Sequence, residues 1–147
     1  MRSVNIDGLL YLAQATLPHL EASGSNLVAV SSVSGLAGDW GWPAYNATKG
    51  AVANLVRALD LDWGRRGVRV NSIAPGVTAS EWVAPVLEID GVRKTVENRT
   101  ALGGVGEPAE VAAAILFVAS DAASYITGAV MPVDGGTSAS SGLAHFE

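Results

Sequence analysis

Short apolar segments rich in β-branched residues alternate along this chain with longer segments of helical periodicity. The apolar segments are residues 26–31, 68–73 and 129–133, and the first of them has the nearly continuous apolar character of a strand covered on both faces. Parallel strands need crossover connections, and such βαβ units are right-handed. The alternation therefore predicts an α/β fold in which helices flank a parallel sheet of three strands.

Apolar residues at mixed spacings of three and four positions mark the helices. The predicted helices are residues 6–20, residues 44–63, residues 78–87, and a segment from Pro108 whose apolar face extends to Ala119. Gly24 ends the first of them, and Pro85 interrupts the short third one. Residues 90–106 are predicted to be a polar, glycine-containing connection.

The charge balance and the cysteine count exclude several classes of protein. The chain has 14 Asp and Glu against 9 Lys and Arg, the wrong sign for a surface that neutralises phosphates, so we expect no nucleic-acid partner. The absence of Cys and the isolation of His19 and His145 predict no metal site. The longest apolar run, residues 111–119, is shorter than the ~20 residues of a membrane helix, so we expect a soluble, cytoplasmic protein.

Tyr45 and Lys49 are four positions apart at the start of the longest predicted helix, so their side chains emerge on one face of it. A nearby ammonium group favours the phenolate form of a tyrosine, which makes the pair a candidate general acid/base. An exposed helix pair without chemical function has the same spacing. Ser31 and Ser32 end the first predicted strand and residues 74–76 end the second, so we expect all of these residues at the carboxyl edge of the sheet, where ligands of open α/β sheets bind.

Five short motifs give the chain a family resemblance. They are Asn5 in VNIDG, Ser32 in VSSVSG, Tyr45 and Lys49 in YNATK, RVNSIAPG at residues 69–76, and DAASYITGAVMPVDGG at residues 121–136. In order and spacing they resemble the short-chain dehydrogenase/reductase family, including the thirteen positions that separate Ser32 from Tyr45. The resemblance extends from Met1 to about residue 137, which is nearly the whole chain.

The resemblance implies an NAD(P)-dependent oxidoreductase that interconverts an alcohol and a ketone by hydride transfer. By the same resemblance Tyr45 would exchange a proton with the substrate oxygen, and Ser32 would hydrogen-bond that oxygen. Lys49 would hold the ribose hydroxyls of the cofactor and favour the Tyr45 phenolate. Asn5 would help to order a water in the proton relay.

A cofactor-binding set also follows from the resemblance. It comprises Tyr45, Lys49, Pro75, Gly76, Val77 and Ser80. Residues 75–77 would line the nicotinamide face, and Ser80 occupies a position where the family often has a cofactor-contacting Thr. The residues that choose between NAD and NADP follow the family's second strand, which this sequence lacks, so both cofactors stay possible.

The family's first half has no counterpart in the sequence. That half begins with a strand and a glycine-rich turn, Thr-Gly-x-x-x-Gly-x-Gly, which holds the cofactor pyrophosphate at a helix N-terminus. Residues 104–109 fit G-x-G-x-x-A, but no strand precedes them, so we interpret them as a helix entry. Residues 1–147 are therefore predicted to be a single, partial Rossmann-like domain of the doubly wound class, holding the catalytic and substrate half. Strand 26–31 would have an unpaired edge.

Two functions are compatible with these observations. The first is the oxidoreductase, which would act on a small-molecule alcohol or ketone as a homo-oligomer, a dimer or tetramer by resemblance. The second is a catalytically inactive, truncated remnant that retains only the family's helical oligomerisation surfaces. The presence of all four proposed catalytic residues favours the first function, and the missing pyrophosphate loop favours the second.

Three tryptophans lie where family members form the substrate pocket. Trp40 and Trp42 precede Tyr45, and Trp82 follows Pro75-Gly76. They favour an apolar or aromatic alcohol or ketone as substrate, with ordinary packing as the alternative interpretation.

Overall fold

Three parallel strands form the centre of the protein in a computed structural model, which describes residues 1–142. They are β1 (Asn26–Val30), β2 (Arg69–Pro75) and β3 (Val130–Val133), and they lie side by side in that order. The α/β class with a parallel sheet, predicted from the alternating pattern, is confirmed. His145 lies outside the described residues.

Helices connect and flank the strands. Within residues 1–142 the α-helices are α1 (Gly8–Ser23), α2 (Pro43–Trp63), α3 (Ala84–Leu87), α4 (Val92–Arg99) and α5 (Pro108–Ala119). A π-helical turn, Ser3–Asp7, leads into α1, which ends at Gly24 with a positive φ of 61°. None of the helices in this part of the chain is long and apolar enough to cross a membrane.

Helix α5 begins shortly after the glycine-containing segment at residues 104–106 and is capped at its first residues. Pro108 takes the first helical position, and the backbone N–H of Glu107 donates to the Glu110 carboxylate at 2.7 Å. Residues 104–109 are therefore a helix entry, as predicted.

The core lies where α1 and α2 pack against the sheet. Its buried apolar side chains are Ala13 and Leu17 of α1, Ala29 of β1, Val52 and Val56 of α2, Val68 directly before β2, and Val70 within β2. Burial of each of the larger side chains stabilises the fold by roughly 1.5–3 kcal/mol. Helix α2 contacts β1 and β2, and α5 contacts all three strands. This packing fixes the carboxyl ends of the strands relative to the first turns of α2.

Two connections differ from the sequence prediction. Of residues 78–87 only α3 is helical, because a parallel bridge pairs Thr78 with Gly106 and hydrogen-bonded turns follow from Ser80. Residues 90–106 contain helix α4, where the prediction was a polar connection. Helix α4 buries none of its side chains, and only two of its eight residues, Val92 and Val96, are apolar, which is too few for the sequence pattern to mark a helix.

Asn71 is a fully buried polar residue in the middle of β2. Its Nδ2 donates to the carbonyl of Ile126 at 2.8 Å, and its Oδ1 accepts from the N–H of Ala129 at 3.1 Å. Both partners lie in the turn that leads into β3. One side chain thus holds that turn to the sheet by satisfying two backbone groups.

We expect Asn71→Ala to lower the free energy of unfolding by about 2–4 kcal/mol, because it leaves the N–H of Ala129 without its partner and the carbonyl of Ile126 with only a long bond from Arg69, at 3.4 Å. Asn26→Ala is the matched control, since it also removes a hydrogen bond of a side-chain amide. That bond runs from Nδ2 to the carbonyl of Ala119 and is exposed to solvent. Its cost should stay under about 1 kcal/mol. Chemical denaturation of both variants measures the difference, and equal losses would show that the Asn71 bonds do not hold the turn.

Candidate active site

The carboxyl ends of the three strands meet at one edge of the sheet. The backbone N–H of Ser31, directly after β1, donates to the carbonyl of Ile73 in β2 at 2.8 Å. The N–H of Gly76, directly after β2, donates to the carbonyl of Val133 in β3 at 3.0 Å. The segments that carry the candidate residues therefore leave the sheet side by side, as the sequence predicts.

Ser32 begins a short 3-10 turn, Val33–Gly35, at the end of β1. Its Oγ accepts from the backbone N–H of Ser34 at 3.2 Å and lies 3.1 Å from the Ser34 hydroxyl. The side chain is buried. These bonds fix the position of the Ser32 hydroxyl.

The turn after β1 packs directly on the backbone of α2. A Cβ at Gly35 would lie 2.6 Å from the carbonyl carbon and oxygen of Lys49, so only glycine allows this approach. The Ser31 hydroxyl donates to the same Lys49 carbonyl at 2.9 Å. Ser32 is thereby held against the helix that carries Tyr45 and Lys49.

The Lys49 ammonium lies beside Tyr45 and at the end of β1. Its Nζ is 5.8 Å from the centroid of the Tyr45 ring and donates to the carbonyl of Val30 at 3.0 Å. Burial lowers the pKa of Lys49 from its ordinary value, because the charged form loses solvation. The Lys49 ammonium thus links the Tyr45 ring to the carboxyl end of β1.

Asn5 is linked to the start of α2 through Thr48. Its Nδ2 donates to the Thr48 hydroxyl at 3.1 Å, and that hydroxyl donates to the carbonyl of Tyr45 at 2.9 Å. Asn5, Tyr45 and Lys49 are thus brought together. Thr48 lies within the YNATK motif, but sequence reasoning assigned it no role, because a local helix bond leaves no signal beyond residue type.

A groove of about 340 Å³ lies along β1 next to these residues. Asn5 and Lys49 line one part of it, and apolar side chains of α1 and β1 line the rest. Successive residues of a strand point their backbone groups to opposite sides, and Ser31 bonds to β2, so the Val30 carbonyl faces away from β2. In the part of the chain that the structure describes, β2 is the only strand that pairs with β1.

The predicted cofactor-binding segment forms the neighbouring part of the edge. Pro75 ends β2, and Gly76 passes Asp134 so closely that a Cβ would lie 2.8 Å from the Asp134 Cβ. The carbonyl of Val77 accepts from the N–H of Gly106 at 3.0 Å, and the N–H of Ser80 bonds within its own turn. Among residues 1–142, no hydrogen bond joins this segment directly to Tyr45 or Lys49.

Asp134 orders the turn that passes beside Gly76. Its carboxylate accepts from the N–H groups of Gly136 at 3.0 Å and Ser138 at 2.8 Å. Burial would raise the pKa of Asp134, but the hydrogen bonds from Ser138 and Gly136 outweigh it and hold the pKa below its ordinary value. The Asp-Gly-Gly segment, residues 134–136, thus forms a tight turn.

The tryptophans form an apolar surface at this edge. The rings of Trp42 and Trp82 meet edge to face with centroids 6.2 Å apart, which joins the segment before Tyr45 to the segment after Ser80. Trp40 is almost fully exposed. Groups of three His, Cys, Asp or Glu that could hold a metal ion do not occur within residues 1–142.

Comparison with known proteins identifies the family of the chain. A family profile described as enoyl-(acyl carrier protein) reductase matches residues 1–138. The chain belongs to the short-chain dehydrogenase/reductase family. Meso-2,3-butanediol dehydrogenase of Serratia marcescens is 47% identical over 139 residues, which are 95% of this chain and 55% of that protein. Galactitol 2-dehydrogenase (L-tagatose-forming) of Cereibacter sphaeroides is 44% identical over 137 residues, with 91% and 54% covered.

Solved structures of short-chain dehydrogenases confirm the Rossmann-like fold. A gluconate 5-dehydrogenase from Burkholderia cenocepacia, determined in complex with NADP and tartrate, matches with a TM-score of 0.90 at 31% identity. The match covers 95% of this chain and 55% of that one. The chain therefore spans about half the length of the curated relatives it matches.

We expect Gly35→Ala to lower the free energy of unfolding by about 1–3 kcal/mol, because the new methyl group collides with the Lys49 carbonyl. Gly38→Ala is the matched control in the same loop, since nothing lies within 4 Å of its Cβ position. Its effect should stay within about 0.5 kcal/mol. Denaturant titration compares the two, and an unaffected Gly35→Ala variant would contradict the close packing.

The lowered pKa of Lys49 makes a pH dependence measurable. In the unfolded chain Lys49 has the ordinary lysine pKa of 10.5, whereas the folded chain loses the Lys49 proton at a lower pH. This lysine therefore makes the free energy of unfolding rise with pH below 10.5. As the pH rises toward 10.5, wild type should gain stability relative to Lys49→Met. Lys94→Met, at an exposed position of α4, is the control and should keep a constant difference from wild type. Parallel curves for wild type and Lys49→Met would contradict the burial effect.

Proposed function

We propose that this chain is the catalytic and substrate-binding half of an NAD(P)-dependent oxidoreductase that interconverts a secondary alcohol and a ketone. The observation that carries the proposal is the Lys49 ammonium, half-buried 5.8 Å from the centre of the Tyr45 ring, at the edge where Ser32 is fixed. The relatives named above are dehydrogenases of a diol and of a polyol, which supports the same reaction class.

The Lys49 ammonium has the donor chemistry that a nicotinamide nucleotide requires. An ammonium has three N–H donors, and Lys49 uses one on the Val30 carbonyl, which leaves donors for the hydroxyls of a ribose. By the family resemblance, residues 75–77 and Ser80 would line the nicotinamide ring. A bound nicotinamide supplies or accepts the hydride. The gluconate 5-dehydrogenase was determined with NADP, and a 4-hydroxyisoleucine dehydrogenase that matches at 29% identity with a TM-score of 0.88 was determined with NADH. Both support this cofactor class without deciding between the two.

Tyr45 is the proposed general acid/base. In reduction its hydroxyl donates a proton to the substrate oxygen, and in oxidation its phenolate takes that proton back. Lys49 places its ammonium beside the Tyr45 ring, and Ser32 hydrogen-bonds the substrate oxygen from a position held by its turn. Asn5 keeps the start of α2 in place through Thr48 and would order a water that carries the proton onward.

The substrate is proposed to carry an apolar substituent beside the reacting carbon. Trp42 lies three residues before Tyr45, Trp82 lies two residues after Ser80, and their contact spans the space between the two segments. Trp82 is 73% exposed, so this pair offers apolar surface to a ligand at the sheet edge.

The whole protein is proposed to be a homo-oligomer. Tyr11 and Leu12 of α1 and Leu61 of α2 are large apolar side chains that lie exposed on the outer helices. The same surface would serve a catalytically inactive protein that only associates. Activity that depends on Tyr45 separates the two functions.

We expect Tyr45→Phe to lower the rate of alcohol oxidation by about 10²–10⁴-fold, because the ring stays but the oxygen that takes the proton of the alcohol is lost. Tyr11→Phe, which changes an exposed tyrosine of α1, should retain full activity. The assay follows formation of reduced nicotinamide by the protein at the length in which its source produces it, and circular dichroism verifies the fold. Full activity of Tyr45→Phe would contradict the mechanism, and inactivity of the wild type would favour the associating protein.

A further inference from the structure

The carboxylate of Asp39 lies two hydrogen bonds away from the hydroxyl of Ser32, which is proposed to bind the substrate oxygen. The Ser34 hydroxyl donates to Oδ2 of Asp39, and the hydroxyl oxygens of Ser32 and Ser34 are 3.1 Å apart. Both serines are buried, whereas Asp39 is exposed. A buried serine therefore holds a charged and accessible group beside the proposed reacting position.

The loop that carries Asp39 is also bonded to the helix that carries Tyr45. The Asn46 Nδ2 donates to the backbone carbonyl of Asp39 at 3.0 Å, and Asn46 directly follows Tyr45 in the first turn of α2. Asp39 is thus held through its backbone and through its side chain. Nothing in the proposed proton transfer uses its carboxylate, which indicates a further role for it.

The hydrogen-bonding capacity of the carboxylate shows what it can bind. An ionised carboxylate only accepts, and it has two oxygens. Oδ2 of Asp39 accepts from Ser34, and among residues 1–142 no donor bonds to Oδ1, so this oxygen can accept from an O–H group of a ligand. A cationic donor is disfavoured there, because the Lys49 ammonium places a positive charge at the same edge of the sheet.

We propose that Asp39 is a specificity-determining residue that binds a second hydroxyl, on the carbon next to the reacting carbon, so that the site prefers vicinal diols to simple alcohols. Gauche oxygens on neighbouring carbons lie about a hydrogen-bond length apart, which is close to the spacing of the Ser32 and Ser34 hydroxyls. The reacting oxygen can therefore accept from Ser32 while the neighbouring hydroxyl donates to Asp39. This inference rests on the proposed function and names the substrate class of the same site.

The binding of a second hydroxyl is compatible with the proposed proton transfer. The reacting hydroxyl gives its hydrogen to the Tyr45 phenolate and accepts from Ser32, so the hydrogen that Asp39 accepts comes from the other hydroxyl. The reacting carbon of a secondary alcohol has two carbon substituents. One is the apolar group proposed to contact Trp42 and Trp82, and the other carries the second hydroxyl.

The test compares the oxidation of 2,3-butanediol and 2-butanol, which differ by one hydroxyl, by the protein at the length in which its source produces it. Wild type should have the higher kcat/KM for the diol. Asp39→Asn keeps the size of the side chain but removes its charge and replaces one acceptor oxygen by an N–H donor. The diol-to-alcohol ratio of kcat/KM should therefore fall about 5- to 50-fold. Asp62→Asn, the same change at an exposed position of α2, is the matched control and should keep the wild-type ratio.

A role of Asp39 confined to folding would lower kcat/KM for both substrates alike, so an active Asp39→Asn variant with the wild-type ratio would overturn the inference and leave the proposed function intact. An equal fall of the ratio in Asp62→Asn would overturn it as well. So would a wild type that oxidises 2-butanol at least as well as the diol, or that prefers the cationic 3-amino-2-butanol to the diol. Absence of dehydrogenase activity with all three substrates would overturn the proposed function itself, and with it this inference.

Discussion

The close approach of Gly35 to the backbone of α2 is the contact on which the rest of the site depends. It holds the turn after β1 against the Lys49 carbonyl, and the Ser31 hydroxyl binds the same oxygen. Tyr45 and Lys49 project from this helix, and Ser32 stands in this turn. One backbone contact therefore sets the relative positions of the proposed acid/base, its neighbouring charge and the hydrogen-bonding serine.

The same site reduces the stability of the fold. An ammonium with a lowered pKa is less favourable in the folded chain than in the unfolded one at neutral pH. Domains have only about 5–15 kcal/mol of net stability, so this cost must be offset elsewhere. The fully buried side chains of Leu17 and Val56, which pack α1 and α2 on the sheet, supply part of that stabilisation.

The sequence predicts the sheet and the edge that carries the site, because buried strands and the Tyr45–Lys49 spacing leave direct patterns. Helix α4 is not predicted, since it is strongly polar and only two of its eight residues are apolar. The hydrogen bond from the Ser34 hydroxyl to the Asp39 carboxylate cannot be predicted for another reason. It depends on how a glycine-containing loop folds back on itself, which residue types alone do not show. The family motifs identify Ser32, but only the three-dimensional structure shows that its hydroxyl bonds to the Ser34 hydroxyl.

The most direct measurement of hydride transfer uses a nicotinamide cofactor that carries deuterium at the transferable position. The protein, at the length in which its source produces it, is incubated with this reduced cofactor and a ketone, and the alcohol is analysed by mass spectrometry. Hydride transfer predicts an alcohol with one deuterium on the carbon that bears the hydroxyl. An alcohol without deuterium, or no alcohol at all, would contradict the proposed chemistry.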